Sequence, residues 1–420
     1  MDKFKYNLSV IGLGYVGLPL AVEAAYSNLS VVGYDINESL IEDLKKSISH
    51  VEDISNHVLE AALTKDLTFT FDPKIIGECE YIVISVPTPL TDYQPDLSYV
   101  EAATLSIANY LKKDQVIILE STTYPGTTLE IVKPILEKNS NLIAGEDFFL
   151  GYSPERIDPG NKEWTFKNTP KIVSGINEHS LKKISKFYKS IINEVVEVSG
   201  TREAEMVKLV ENTYRQVNIA MVNELAILSK MLDIDIWEVV EAAKTKPFGF
   251  QSFRPGPGVG GHCIPIDPKY LSFKTRQIGQ PVRFVELAQE INNSMPTYVV
   301  SRISELMNKH EILLKNSKIL ILGVAYKKNI GDTRESPALD IIELFLEKNA
   351  IVSYFDPYVE MLTVNKKDIF KETSEDNFSN YDLILIHTPH SEFENIIFDK
   401  IKSLIFDSTG NFTISEAERL

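Results

Sequence analysis

Short apolar runs alternate with amphipathic stretches at both ends of this chain, and the middle lacks them. Residues 7–11, 30–34, 81–86, 115–120 and 148–152 are β-prone runs bounded by Gly, Pro, Ser or Thr, with helical text such as LPLAVEAAYSN between them. Strands of this length spaced by helices predict a parallel sheet covered on both faces. Residues 170–174 predict one more strand of the same unit. From Arg202 to about Met231 there is no Pro or Gly, and Met206, Leu209, Val210, Val217, Met221, Leu225 and Leu228 recur near helical spacing. One long helix is predicted there, and 234–243 and 284–309 continue a helical middle. After Leu314 the alternation returns, with strands at 318–324, 351–355, 383–387 and 403–407 and a helix at 337–348.

The first run leads directly into Gly12-Leu13-Gly14-Tyr15-Val16-Gly17 and then a helix, and the second run closes on Asp35, 23 positions after Gly12. Each glycine has separate work: a tight turn at Gly12, close approach of a pyrophosphate at Gly14, and tight packing of helix on strand at Gly17. The amides at the helix start face the anion. A carboxylate at Asp35 accepts from ribose hydroxyls and repels a 2′-phosphate, so the pattern predicts a Rossmann-type domain that binds NAD in preference to NADP. Two further runs end in loops of the kind that line a ligand crevice, Val86-Pro87-Thr88-Pro89 and Ser121-Thr122-Thr123-Tyr124-Pro125-Gly126.

The densest chemical text is FRPGPGVGGHCIPIDP, residues 253–268. Its glycines and prolines exclude helix and central strand, and a shaped loop ending in a cysteine beside a histidine is a candidate nucleophile site at Cys263. A zinc site lacks ligands: His262 and Cys263 are adjacent, and no CxxC or HExxH completes a set, so no metal is expected. Cys79, at the edge of a strand, reads as a small buried hydrophobe. His50, His57, His179 and His310 read as surface residues, whereas His387 and His390 follow a strand where a ligand-facing role is open. Lys208 and Asn212 share a face of the long helix, where a lysine and an amide suit an oxygen that becomes negative during reaction.

Charge narrows the partners. With 43 basic and 59 acidic residues the net charge is −16, which disfavours nucleic acid and anionic membranes, and no apolar run reaches the length of a membrane span. The start of the chain enters a domain pattern at once and two cysteines make no disulfide framework, so a cytoplasmic protein is expected. The second α/β region carries Lys327, Lys328 and Arg334 where the first carries glycines, which predicts a different anionic ligand.

Seven ordered blocks resemble the nucleotide-sugar 6-dehydrogenases, the family of UDP-glucose and UDP-N-acetylhexosamine dehydrogenases: GLGYVG (12–17), VPTP (86–89), ESTTYPGT (120–127), SPERIDPGN (153–161), KLVENTYRQVNIA (208–220), GPGVGGHC (256–263) and GVAYKKNIGDTRES (323–336). The resemblance implies an α/β chain of three parts: 1–200 as an N-terminal Rossmann-type NAD domain, 201–310 as a central helical and dimerisation domain carrying the cysteine loop, and 311–420 as a Rossmann-like UDP-sugar domain. It implies two successive NAD-dependent oxidations at carbon 6 of the sugar. Cys263 resembles the nucleophile, Lys208 and Asn212 the oxyanion-stabilising pair, Asp267 the carboxylate that orders its surroundings, and Glu155 and Thr122 the groups for acid/base work and water positioning. Gly12, Gly14, Tyr15, Val16, Gly17, Asp35, Pro87, Thr88, Thr122 and Arg334 fall at cofactor positions, and Arg254, Gly260 and Lys328 at sugar-nucleotide positions.

One block departs from the UDP-glucose pattern, because Pro159 stands where those enzymes carry a second acid, whose share is either lost or supplied by Asp158. The SPERIDPG form looks most like the UDP-N-acetylglucosamine branch, with Arg156 and Arg215 as candidates for contacts to the acetamido group or sugar. A homodimer or higher homo-oligomer is expected from the resemblance and from the apolar surplus on the long helix. The same chemistry on the galacto or manno epimer or on UDP-glucose stays open, as does a non-catalytic NAD-binding regulator. The glycine-framed thiol argues against that last class, since a sensor has no use for it.

Overall fold

The computed structural model describes residues 3–91, 94–158, 161, 163–261 and 263–420. Two compact units emerge, Met1–Glu211 with Lys269–Gln280, and Asn212–Pro268 with Pro281–Leu420.

In the first unit, β1 (Tyr6–Ile11), β2 (Val31–Tyr34), β3 (Leu67–Thr70), β4 (Cys79–Ile84), β5 (Val116–Leu119) and β6 (Phe149–Tyr152) form one sheet in the order β3-β2-β1-β4-β5-β6. All five pairings are parallel. Leu8, Val10, Ile82–Ile84 and all of β5 are fully buried, as expected of strands covered on both faces. Chain order reverses between β1 and β4, so the loops leaving those two strands diverge and open a crevice at the strands' carboxyl ends. Those loops are the GLGYVG turn, which leads into α1 (Gly17–Tyr26), and the segment beginning Ser85-Val86-Pro87.

The strand expected at 170–174 does not extend this sheet. It forms β7 (Lys171–Val173), which pairs with β8 (Val195–Glu197) in a separate two-stranded ladder. Beyond it, Ser174 and Ile176 donate to Tyr152 O and Leu150 O, an antiparallel contact that cannot continue a parallel ladder. Helix α2 (Glu178–Lys189), capped by Asn177, then brings Tyr188 into the core behind β5 and β6.

Helix α3 (Thr201–Met231) is continuous for 31 residues, its first eleven in the first unit and the rest in the second. In the second unit follow α4 (Ile236–Lys244), then the glycine-proline loop leading to α5 (Asp267–Gln277), and α6 (Arg283–Lys309). Met295, Val299, Ile303 and Met307 of α6 pack in one core with Ile319 and Ile321 of β9 (Lys318–Leu322) and with Phe345 of α7 (Pro337–Glu347). The sheet around β9 is again all parallel and again has its first strand inside, in the order β11-β10-β9-β12-β13-β14, with β10 Ile351–Phe355, β11 Phe370–Lys371, β12 Leu383–Ile386, β13 Leu404–Asp407 and β14 Glu418–Arg419.

The second sheet copies the first down to an acid at the end of its second strand, but puts that acid to another use. Asp356 Oδ2 accepts from Val324 N (2.8 Å) and His390 Nε2 (3.0 Å), and Oδ1 accepts from Tyr358 N and Val359 N. His390 Nδ1 accepts from Asn329 N at 2.9 Å, so the ring proton sits on Nε2. The open role of His387 and His390 resolves inward: both are buried, and burial pushes His387 down to about 4, which keeps it neutral at pH 7. Among the described residues no helix is long and apolar enough to cross a membrane.

Candidate active site

The cofactor side is built on the first unit's crevice. Gly12 has φ +87°, and a Cβ there would lie 2.5 Å from Ser85 O; at Gly17 it would lie 1.9 Å from Gly12 O. At Gly14 a Cβ would meet nothing within 4 Å, so this is the face open to a ligand. The residue capping α1 is Val16, whose side chain makes no cap hydrogen bond; Leu18 N donates to Gly14 O, and the helix dipole favours an anion at this end. Asp35 lies at the end of β2, with Oδ2 accepting from Leu13 N (3.0 Å) and Oδ1 from Asn37 N (2.9 Å), which fixes the carboxylate beside the glycine turn. These features fit the pyrophosphate and adenosine ribose of NAD. Tyr15 and Pro87 are exposed, and Thr88 and Thr122 half-buried, on the neighbouring loops.

Those loops are tied together. Ser121 Oγ donates to Val86 O (2.8 Å) and accepts from Val86 N (3.0 Å). Tyr270 OH on α5 donates to Thr88 O at 2.8 Å. Glu205 on α3 accepts from Gly126 N, Thr128 N and Thr128 Oγ1 at 2.6–2.8 Å, although burial pushes its carboxyl up to about 7.

Glu155 and Lys208 meet in the same unit. Lys208 Nζ donates to the backbone oxygen of Glu155 at 2.6 Å, and both side chains are buried. The Glu155 carboxylate takes the amides of Arg156 (2.6 Å) and Ile157 (2.5 Å) on Oε1 and the ammonium of Lys171 (3.1 Å) on Oε2. Lys171 also binds Glu120 at 2.8 Å. Arg156 spends its guanidinium on Glu211 and Pro170 O, both at 2.7 Å. Asp158 is exposed and accepts from the Asn161 amide, whereas Pro159 lies outside the described residues, as do Gly160 and His262.

The cysteine loop is built in the second unit. Cys263 is partly exposed, and its carbonyl accepts from Ile266 N and Asp267 N, which starts α5. Asp267 is buried and accepts from the Asn212 amide at 2.5 Å, so the helix-borne amide and the cysteine loop are joined through that carboxylate. Upstream, Gly260 and Gly261 seat the loop on the 326–337 segment. A Cβ on either would come within 2.7 Å of Tyr326, and Gly261 N donates to Arg334 O. The remaining cations are paired locally: Arg254 pairs with Glu241 and Asn411, Lys328 with Glu394, Arg334 with Asp332, and Arg215 is exposed. Cys79 differs sharply from Cys263, since it is fully buried and burial pushes its thiol up to about 12. Among the described residues no group of three His, Cys, Asp or Glu side chains is placed to hold a metal ion.

Comparison with known proteins decides the family. Residues 6–192 match the NAD binding domain of the UDP-glucose/GDP-mannose dehydrogenase family, 202–294 its central domain, and 320–414 its UDP binding domain. The chain belongs to this family. Among curated relatives, a UDP-N-acetyl-D-glucosamine 6-dehydrogenase of Pseudomonas aeruginosa is 39% identical over 400 residues, 95% of this chain and 94% of the relative. Another of that name from Salmonella typhi is 37% identical over 410 residues, 96% and 95% of the two chains. Among solved structures, a UDP-D-ManNAc dehydrogenase of Pyrococcus horikoshii superposes with a TM-score of 0.90 at 32% identity, covering 98% of each chain. As a UDP-glucose/GDP-mannose dehydrogenase family member, the chain is an NAD-dependent oxidoreductase of sugar nucleotides.

Sequence spacing puts Glu205 on the Lys208 face of the long helix, but it singles out none of Lys171, Glu120 or Tyr270. Glu120 opens the ESTTYPGT block and carried a weak signal. The others pair with residues 16 to 182 positions away, and no local spacing records such a contact.

Proposed function

We propose that this chain oxidises carbon 6 of UDP-N-acetyl-D-glucosamine to the uronate in two NAD-dependent steps, with Cys263 as the nucleophile. The observation that carries the reading is the partly exposed Cys263 thiol on a glycine-framed loop whose next turn, through Asp267, holds the Asn212 amide. The names of the Pseudomonas aeruginosa and Salmonella typhi relatives support the sugar.

NAD, when bound, accepts a hydride from carbon 6 in each step. The Gly12–Gly17 turn and α1 hold its pyrophosphate, Asp35 its ribose, and the loops of Pro87, Thr88 and Thr122 border the site. Lys208 and Asn212, one helical turn apart on α3, stabilise the carbon-6 oxygen as it gains negative charge. The first oxidation takes the alcohol to the aldehyde, and the Cys263 thiolate then adds to that carbon to form a thiohemiacetal. Loss of the second hydride leaves a thioester, which water cleaves to the carboxylate and the regenerated thiol. Thr122 positions that water, and Arg254, Gly260, Lys328 and Arg334 serve the phosphates. The proposal keeps the divisions 1–200, 201–310 and 311–420, which the three family segments support.

An NADH assay run to completion with UDP-N-acetylglucosamine, its galacto and manno epimers and UDP-glucose tests both stoichiometry and sugar. Two NADH per sugar are expected, with the best rate on UDP-N-acetylglucosamine. The manno epimer is the second reading, favoured by the Pyrococcus horikoshii structure. One NADH with release of free aldehyde would sink the covalent scheme, and a best rate with UDP-glucose would sink the sugar assignment.

A homodimer as the smallest assembly is part of the same proposal. Val210, Tyr214, Met221, Leu225 and Leu228 stand 43–50% exposed in a row along α3, and such a row on one helix suits a partner helix better than water. Light scattering at micromolar concentration should return at least twice the 47.4 kDa chain mass. A single-chain species alone would contradict it.

A further inference from the structure

We propose that Lys171 is a positioning residue for the reaction: from a buried cluster behind Glu155 it holds that carboxylate as an anion and so fixes the carbonyl on which the Lys208 ammonium rests. The inference rests on the proposed role of Lys208 in the reaction and on the resemblance that places Glu155 in the same machinery.

The geometry goes beyond a structural ion pair. One ammonium, 4% exposed, is shared by two carboxylates that are also inside the protein, Glu120 Oε1 at 2.8 Å and Glu155 Oε2 at 3.1 Å. Lys171 touches both anions and the Lys208 ammonium lies beside Glu155, so two carboxylates and two ammoniums share one buried cluster, at a desolvation cost to each. The two carboxylates divide that problem unequally. Burial pushes Glu120 up, with the nearby Glu155 charge adding to it, and its Oε2 is buried without a hydrogen-bond partner. Burial also acts on Glu155, but Lys171, Lys208 and the Ile157 amide outweigh it and hold this carboxyl below the usual range. The two carboxyls are thus pushed in opposite directions, Glu120 up and Glu155 down, so the anion is favoured at Glu155.

Among the described residues, charged and titratable groups gather around Glu155 from several elements. Lys171 comes from β7, Glu120 from the end of β5, and Tyr188 from α2, its hydroxyl donating to Glu120 and its own ionisation pushed well above the usual range by burial. Lys208 comes from α3, and the neighbouring Arg156 turns away to Glu211. With Oε1 on two amides and Oε2 on Lys171, the carboxylate is clamped at both oxygens. The same residue's carbonyl then presents a fixed acceptor to Lys208 at 2.6 Å. A side chain gripped in this way orients a neighbour better than it shuttles a proton.

The test is the pH dependence of kcat/KM in the full-length enzyme for wild type, Lys171→Arg, Lys171→Met, Glu155→Gln and the double variant Glu120→Gln/Lys171→Met. Removing the cation raises the Glu155 pKa, so the anion is lost at higher pH. The acidic limb should move up by about one unit or more in Lys171→Met, with kcat at pH 7 down about tenfold and KM for NAD within about twofold. Lys171→Arg should restore the limb. The double variant removes a buried carboxylate along with the ammonium, so it carries the test if Lys171→Met alone does not fold; losing the Glu120 charge offsets part of the effect, so it should show a smaller shift in the same direction. A folded Lys171→Met or double variant whose acidic limb coincides with wild type overturns the proposal, because a merely structural lysine would lower melting temperature and leave the profile in place. Glu155→Gln separates the two levels: wild-type turnover there refutes the reading of the site itself, whereas an inactive Glu155→Gln beside unshifted Lys171 variants refutes only the role of Lys171.

Discussion

Replacing Cys263 with alanine is expected to cut uronate formation by about a thousandfold or more while leaving NAD and sugar-nucleotide binding near wild type. In the proposed scheme the thiol turns the aldehyde into a species able to lose a second hydride without leaving the enzyme. The loop that presents it is held by other atoms: the Cys263 carbonyl on Ile266 N and Asp267 N, Gly261 N on Arg334 O, and the close seating of Gly260 and Gly261 on Tyr326. Alanine keeps all of these, so melting temperature should stay within a few degrees of wild type. Carboxylate product measured by mass spectrometry separates the two half-reactions, since a residual single oxidation would appear as aldehyde and one NADH. Equal carboxylate output from wild type and Cys263→Ala would mean that the chain is a simple alcohol dehydrogenase with an incidental cysteine.

The second large effect is cofactor choice. Catalytic efficiency with NAD should exceed that with NADP by at least about 100-fold, equivalent to roughly 2–3 kcal/mol. A 2′-phosphate would have to approach the Asp35 carboxylate, which is fixed in place by Leu13 N and Asn37 N and cannot swing aside without giving up both bonds. Like charges at that separation conflict, and the ribose hydroxyl that the carboxylate would otherwise accept from is lost as well. Steady-state kinetics with the two cofactors check it, and Asp35→Ala should narrow the ratio by about tenfold or more. Near-equal efficiencies in wild type would refute the assignment of Asp35.

Much of the architecture was legible before any coordinates, because its signals are local. The GLGYVG turn between a strand and a helix, the proline- and glycine-free run from 202 to 231, and the return of alternating runs after 314 are each written within about thirty residues. They correspond to the observed β1–α1 turn, α3 and the second parallel sheet. Gly12 and Gly17 could be assigned from the pattern because steric exclusion acts between neighbours in one motif: a Cβ at Gly17 would strike Gly12 itself. The cysteine loop was legible for a similar reason, since its proline and glycine density rules out every regular element and marks the thiol at its end.

What tertiary structure alone decided is where charge ends up inside the protein. Asp35 and Asp356 close equivalent strands and look alike in sequence, yet Asp35 remains partly exposed beside a glycine turn while Asp356 is sealed by His390 and four backbone amides. Lys171 looked like one more residue of a sheet strand. Its strand instead pairs with 195–197, and its ammonium enters a cluster with Glu120 and Glu155. The physical reason is common to these cases. Periodicity and turn chemistry depend on nearest neighbours along the chain, whereas the ionisation and role of a buried group depend on which distant residues share its low-dielectric surroundings, and only the folded chain brings those residues together.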